Sequence, residues 1–260
     1  MKRCHILCMA IFFSTLSHNA WALLNIAGTM NKMTYTLSED YANFYSFENS
    51  WKLAMGVSVA GVLANTTADR EIQDWYQDSY KSKGTDSFSK AMNVFGNGMI
   101  TIPVFLGFAL LPELADNSQL GSASGEWGRN SLRAILVGTP PMFLMQRALG
   151  ASRPNETDSH WRFFHDDNGV SGHSFMGAIP FLTSAHMTDN PFLKCALYLG
   201  STLPGISRIN DDKHYFSQAA LGWWMAYLAS SSEEGVKRDD VVIAPAVIQN
   251  SIGVMMIFHF

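Results

Sequence analysis

Two arginines, two histidines and a Ser-Gly pair follow one another between residues 153 and 214, as Arg153-Pro154, Ser171-Gly172-His173, Ser207-Arg208 and His214. These residue types can hold a phosphoryl group and attack it without a metal. Arginine offers a planar fork of donors that matches phosphate oxygens and keeps its charge. A Ser-Gly turn lets backbone N–H groups approach an anion closely, above all where it opens a helix. One histidine serves as nucleophile and the other as the acid for the leaving oxygen. The chemistry implied is phosphoryl transfer.

The three blocks in full are Gln146 through Arg153-Pro154, then Val170-Ser171-Gly172-His173, then Ser207-Arg208 with His214 and Gln218 beyond it. Together they resemble the type 2 phosphatidic acid phosphatase superfamily, which includes bacterial acid phosphatases and vanadium haloperoxidases. The likeness covers roughly residues 51–230 and is clearest over 146–225. It implies an all-α fold, a helical bundle of about six core helices. It also implies that Arg153, Arg208, Ser171 and the Gly172 N–H bind phosphate oxygens. His214 then forms a phosphohistidine, and His173 protonates the leaving group.

Three positions depart from the family pattern. Its lysine is Gln146 here, the proline before Ser-Gly-His is Val170, and the final aspartate is Gln218. The resemblance gives that aspartate the role of orienting the nucleophilic histidine and stabilising its positive charge. Gln218, one turn past His214, still has an acceptor for an imidazole N–H but carries no charge. Gln146 removes a positive charge from the phosphate cradle, with Arg147 beside it as a candidate replacement. Two readings stay open: a phosphatase acting on phosphomonoesters or diphosphates, lipid-linked ones foremost, or a catalytically weakened member that binds phosphate or lipid head groups. The missing lysine counts against a haloperoxidase.

The elements that must position these residues are helical. Apolar helices are expected over 51–63, 99–111, 126–149 and 193–203, another opening at Ser171, and one over 214–230, so that Ser207 to His214 forms a connection. Thr66 and Asp69 suggest a capped start to a polar helix that ends where Lys83-Gly84-Thr85 breaks it. Pro180 predicts a kink. After Glu233-Glu234-Gly235 the β-branched and aromatic content rises, which predicts a short C-terminal β-hairpin over 236–260.

Residues 1–22 read as a secretory signal, with Lys2-Arg3, an apolar run and Ala20-Trp21-Ala22 as cleavage site. The expected organisation is therefore signal, helical domain over 23–235 and hairpin, in the periplasm or cell envelope with a membrane contact. Cys195, left alone by cleavage, is expected to be a small buried hydrophobe. A net charge of −4 without a basic stripe excludes nucleic acid as a partner. His160, His165, Asp166 and Asp167 lack metal-ligand spacing and read as a solvated loop, so no cofactor or metal is expected. Only 91–112 is an uncharged stretch of spanning length, and mean hydropathy is +0.03.

Overall fold

The computed structural model describes residues 36–114, 119–232, 241–248 and 251–258. The expected signal segment lies outside the described residues. Among the described residues between 36 and 232 the regular elements are all helices. They are α1 (36–44), α2 (Phe47–Ala64), α3 (Ala68–Ser79), α4 (Lys83–Gly96), α5 (Gly98–Leu114), α6 (Gln119–Leu149), α7 (Gly172–His186), α8 (Pro191–Asn210) and α9 (Phe216–Ser231).

Helix α7 lies at the centre, packed against α4, α6, α8 and α9. Its composition suits that place: it carries no Asp, Glu, Lys or Arg and buries nearly every residue from Ser174 to Ala185. Helix α9 is likewise free of those charges and buries Leu221, Met225 and Leu228. Phe175, Ile179, Leu182 and Val137 complete the centre of the core. Burial of such apolar surface is the main favourable term in holding the bundle. Pro180 lies inside α7, which continues to His186.

Three boundaries differ from the sequence reading, and one expected cap serves another helix. Lys83 begins α4 instead of only breaking α3, because Ser82 and Thr85 form a reciprocal capping box. Helix α6 starts at Gln119, not near Glu126. Helix α8 runs to Asn210, so Ser207 and Arg208 lie on its last turns and not in a connection. Asp69 does not cap its own helix. Its carboxylate accepts the backbone N–H and hydroxyl of Ser217, far along the chain, at the start of α9. A carboxylate there meets the open N–H groups and the positive end of the helix dipole.

The uncharged stretch over 91–112 is not one rod, since α4 and α5 bend by 55° at Asn97. Among the described residues no single helix is long and apolar enough to cross a membrane; α4 with residues 98–110 of α5 meets the length and composition only as that bent pair. Cys195 is exposed, contrary to expectation. The outer face of α8 is apolar too, with Phe192, Leu193 and Leu199 at the surface.

Candidate active site

Each block of the motif stands at a helix end. Helix α6 stops at Leu149 because Gly150 adopts φ +64°, the left-handed conformation that ends helices and favours glycine. The chain then turns through buried Ser152 to Arg153. The Arg153 Nε–H donates to Asn168 Oδ1 at 2.8 Å, and Asn168 Nδ2 donates to Asp166 Oδ1 at 2.9 Å.

Ser171 is the N-cap of α7. Its hydroxyl accepts the Ser174 N–H at 3.3 Å, and its own N–H donates to the Gln218 carbonyl at 2.9 Å. The Ser171 side chain is thus fully buried as a cap, while Gly172 and His173 form the first turn of the helix. A Cβ on Gly96 would come within 2.8–2.9 Å of the His173 carbonyl, Cβ and Cδ2, so only glycine fits where α4 ends against this turn.

Arg208 on α8 is held from α4. Its Nη1 donates to Asn93 Oδ1 at 2.6 Å and lies 3.6 Å from Asp211 Oδ2. Asn93 Nδ2 in turn donates to that same Asp211 oxygen at 2.7 Å, and Ser89 donates to the other one at 2.7 Å. Arg208 Nε is buried and has no hydrogen-bond partner.

His214 is 7% exposed and Gln218 fully buried. Gln218 Oε1 accepts from His214 Nδ1 at 2.9 Å and from the Tyr215 N–H at 3.1 Å, while its Nε2 donates to the Ser152 carbonyl at 2.8 Å. Because one backbone donor and one backbone acceptor pin the amide, its oxygen must face the imidazole. His214 therefore carries its proton on Nδ1 and leaves the Nε2 lone pair free.

The charges show that the blocks converge. Burial pushes the His214 pKa down to about 3; the hydrogen bond with Gln218 is the next effect in size and opposes it, and Arg208, Arg153 and His173 each lower it further. Burial and the same two arginines lower His173. Burial lowers Arg208, with Arg153 adding to it and Asp211 opposing. Asp211 stays below the usual carboxylate range: burial opposes this, but hydrogen bonds from Ser89, Asn93 and Asn210 and the charge of Arg208 prevail. Two neutral imidazoles thus lie in the field of two guanidinium groups, an arrangement suited to a nucleophile and an anion.

Gln146 Nε2 donates to the Val170 carbonyl at 3.0 Å, just ahead of the Ser-Gly turn. Arg147 does not replace the lysine. Its side chain is 75% exposed and lies 3.7 Å from Asp167, beside a surface cavity of about 230 Å³ lined also by Phe164, His165 and Asp166. His160 pairs with Asp158 at 3.4 Å in the same polar segment. Among the described residues no three His, Cys, Asp or Glu side chains gather as a metal-ligand set.

The sequence reading missed Asn93, Asn168 and Ser152. A polar residue ahead of Gly96-Asn97-Gly98 and another ahead of Gly169 were the only local signals. No protein-family model, curated protein or solved structure matches this chain.

Proposed function

We propose that the chain is a phosphatase of the type 2 phosphatidic acid phosphatase kind, hydrolysing phosphomonoesters or diphosphates, lipid-linked ones foremost, in the periplasm or cell envelope. The observation that carries this reading is the pinned Gln218 amide, which leaves His214 Nε2 as a free nucleophile in the field of Arg153 and Arg208. In the first step His214 Nε2 bonds to phosphorus, the bond to the leaving oxygen breaks, and His173 gives that oxygen its proton. In the second, His173 takes a proton from water, the water oxygen bonds to phosphorus, and the P–N bond breaks to release phosphate. The substrate's negative charge offsets the arginines and so allows His173 to hold a proton in the complex. Fixed donors supply the charge stabilisation that such a transition state needs, without requiring a metal.

A lipid-linked substrate and a membrane contact are favoured by apolar surface. A groove of about 490 Å³ runs between α2 and α9, lined by Met55, Val59, Leu63, Phe216 and Trp224 among others, and begins two residues past His214. Phe47, Trp51, Met55, Val59 and Val62 are exposed along one side of α2, where a bilayer surface would cover them. Packing of α7 among α4, α6, α8 and α9, with α2 on α9, supports a core of about six helices. Antiparallel pairing of Val241–Ile248 with Ser251–Phe258 supports a C-terminal hairpin appendage.

The second reading is a binding protein for phosphate or lipid head groups with catalysis weakened, favoured by amides at Gln146 and Gln218 where charges would serve turnover. The deciding experiment measures phosphate release from p-nitrophenyl phosphate and from a lipid phosphate, with trapping of an acid-labile phosphoenzyme. Turnover lost together with the phosphoenzyme in His214→Ala supports hydrolysis. Phosphate binding without turnover in the wild type selects the binding protein. For the compartment, mass spectrometry on protein from its native host is expected to find Leu23 as the first residue; an intact Met1 would contradict the cleaved signal.

A further inference from the structure

We infer that Asn93 and Asn168 are positioning residues for the two arginines of the cradle, each forming the middle of an Arg–Asn–Asp relay; the inference rests on the phosphatase reading of Arg153 and Arg208. The relays are alike although they come from different parts of the chain. In one, Arg208 Nη1 donates to Asn93 Oδ1, and Asn93 Nδ2 donates to Asp211. In the other, Arg153 Nε donates to Asn168 Oδ1, and Asn168 Nδ2 donates to Asp166. Each asparagine is oriented by a carboxylate that accepts from its amide nitrogen, so its oxygen must face the arginine.

What each relay leaves open is the telling part. With Nη1 of Arg208 taken, the open edge is the Nε–Nη2 fork, and that Nε is buried with no partner in the protein. The same fork grips a carboxylate elsewhere in this chain: Arg133 Nε and Nη2 donate to the two oxygens of Asp40, each at 2.6 Å. For Arg153 the nitrogen taken is Nε, and the open edge is the Nη1–Nη2 fork. Two different edges of two guanidinium groups are thereby offered to one tetrahedral anion, each capable of bidentate contact.

The amide is the right device for this task. It fixes a planar cation through one donor without adding a negative charge at that nitrogen. A carboxylate in its place would compete with the ligand for the same positive charge and weaken phosphate binding. The Arg208 relay keeps Asp211 mainly one amide away, at 3.6 Å from Nη1 against 2.6 Å for Asn93.

The test is the affinity for inorganic phosphate and for orthovanadate, measured by calorimetry beside thermal melting, in the wild type, Asn93→Asp, Asn168→Asp and Asn93→Leu. Each Asp variant also sets a carboxylate oxygen where the amide donated, 2.7 Å from Asp211 or 2.9 Å from Asp166, so its melting temperature should fall; the negative charge gained beside one arginine should raise Kd about tenfold. Asn93→Leu should also weaken binding, because the guanidinium loses its orientation without gaining a partner. Melting shifts with unchanged Kd in both Asp variants would overturn the proposal and leave the asparagines as structural residues only. A wild-type chain with no affinity for either anion would overturn the phosphatase reading itself, an outcome separable from the first.

Discussion

Gln218 and His214 meet across 2.9 Å, with the glutamine oxygen accepting the imidazole Nδ1–H and the glutamine nitrogen donating to the Ser152 carbonyl. One amide therefore joins the candidate nucleophile to the backbone beside Arg153. An aspartate at this place would do the first task and not the second, since it has no donor. Gln218 orients His214, fastens the segment that presents Arg153, and places no negative charge beside the imidazole.

Variants at Gln218 should separate those tasks. Gln218→Glu keeps the length but sets a buried carboxylate oxygen against the Ser152 carbonyl, so both melting temperature and kcat/KM should fall. Gln218→Asp withdraws from Ser152 and places a negative charge near His214. Stability should drop by about 1–3 kcal/mol for the unpartnered carbonyl, while kcat rises. Gln218→Ala frees the imidazole tautomer, and loss of an orienting partner of this kind costs up to about 10⁴-fold in kcat. Steady-state kinetics and melting of the three variants check this; a Glu variant as stable and active as the wild type would refute the pinned amide.

The low pKa of His214 has a consequence for stability. In the unfolded chain this histidine binds its proton near 6.5, in the folded one only at about 3. Between those values the unfolded state holds more protons, so stability falls as pH drops from about 6.5 toward about 3 and rises in the other direction. His173, lowered by burial and both arginines, adds to the same window. Urea midpoints at several pH values, compared with those of His214→Asn, should show a shallower acid slope in the variant. Equal slopes would place the acid sensitivity elsewhere.

The motif residues were legible because their types and order carry chemistry, and the structure brings Arg153, His173, Arg208 and His214 into one electrostatic group. Their supports were not legible. Asn93 reaches Arg208 from 115 residues away, and Asp69 reaches Ser217 from 148 away; neither belongs to a local pattern. The helix expected over 193–203 continues through Pro204 and Gly205 to Asn210. Packing favours that, since Gly205 lets Ser174 approach within 2.7 Å of where its Cβ would be. Cys195 was placed inside because its neighbours are apolar, yet on α8 apolar residues face outward as well. Hydropathy cannot tell the two faces of such a helix apart.

Gly96 offers a test of His173 alone. An added Cβ would press on the backbone carbonyl of His173 at 2.8 Å and on its side-chain Cβ and Cδ2 at 2.9 Å, so the first turn of α7 or the imidazole must shift. Gly96→Ala should therefore displace the proposed acid, while Arg153, held by Asn168 from another segment, stays in place to bind phosphate. A misplacement of about 1 Å can cost roughly a hundredfold in rate, so kcat should fall by that order with phosphate affinity preserved. Loss should be smallest for p-nitrophenyl phosphate, whose leaving group needs little protonation. An equal loss on good and poor leaving groups would remove His173 from the acid role.

Gln146 is where a charge can be restored. Its Nε2 donates to the Val170 carbonyl at 3.0 Å and lies 3.2 Å from where a Cβ on Gly172 would be, so the side chain already ends beside the first turn of α7. A lysine there can keep a hydrogen bond to Val170 through one of its three donors and present its charge to an anion held at the Ser-Gly turn. Gln146→Lys should tighten phosphate binding about tenfold, the scale of one charge-assisted contact, with little change in melting temperature. In an enzyme kcat/KM should rise too, and the gain should combine non-additively with that of Gln218→Asp, since both act on one transition state. A protein built only to bind would gain affinity and no turnover from either change. Calorimetry with phosphate and kcat/KM on one lipid phosphate, for both single variants and the double, therefore separate the two readings, and unchanged affinity in Gln146→Lys would show that the anion does not lie at the head of α7.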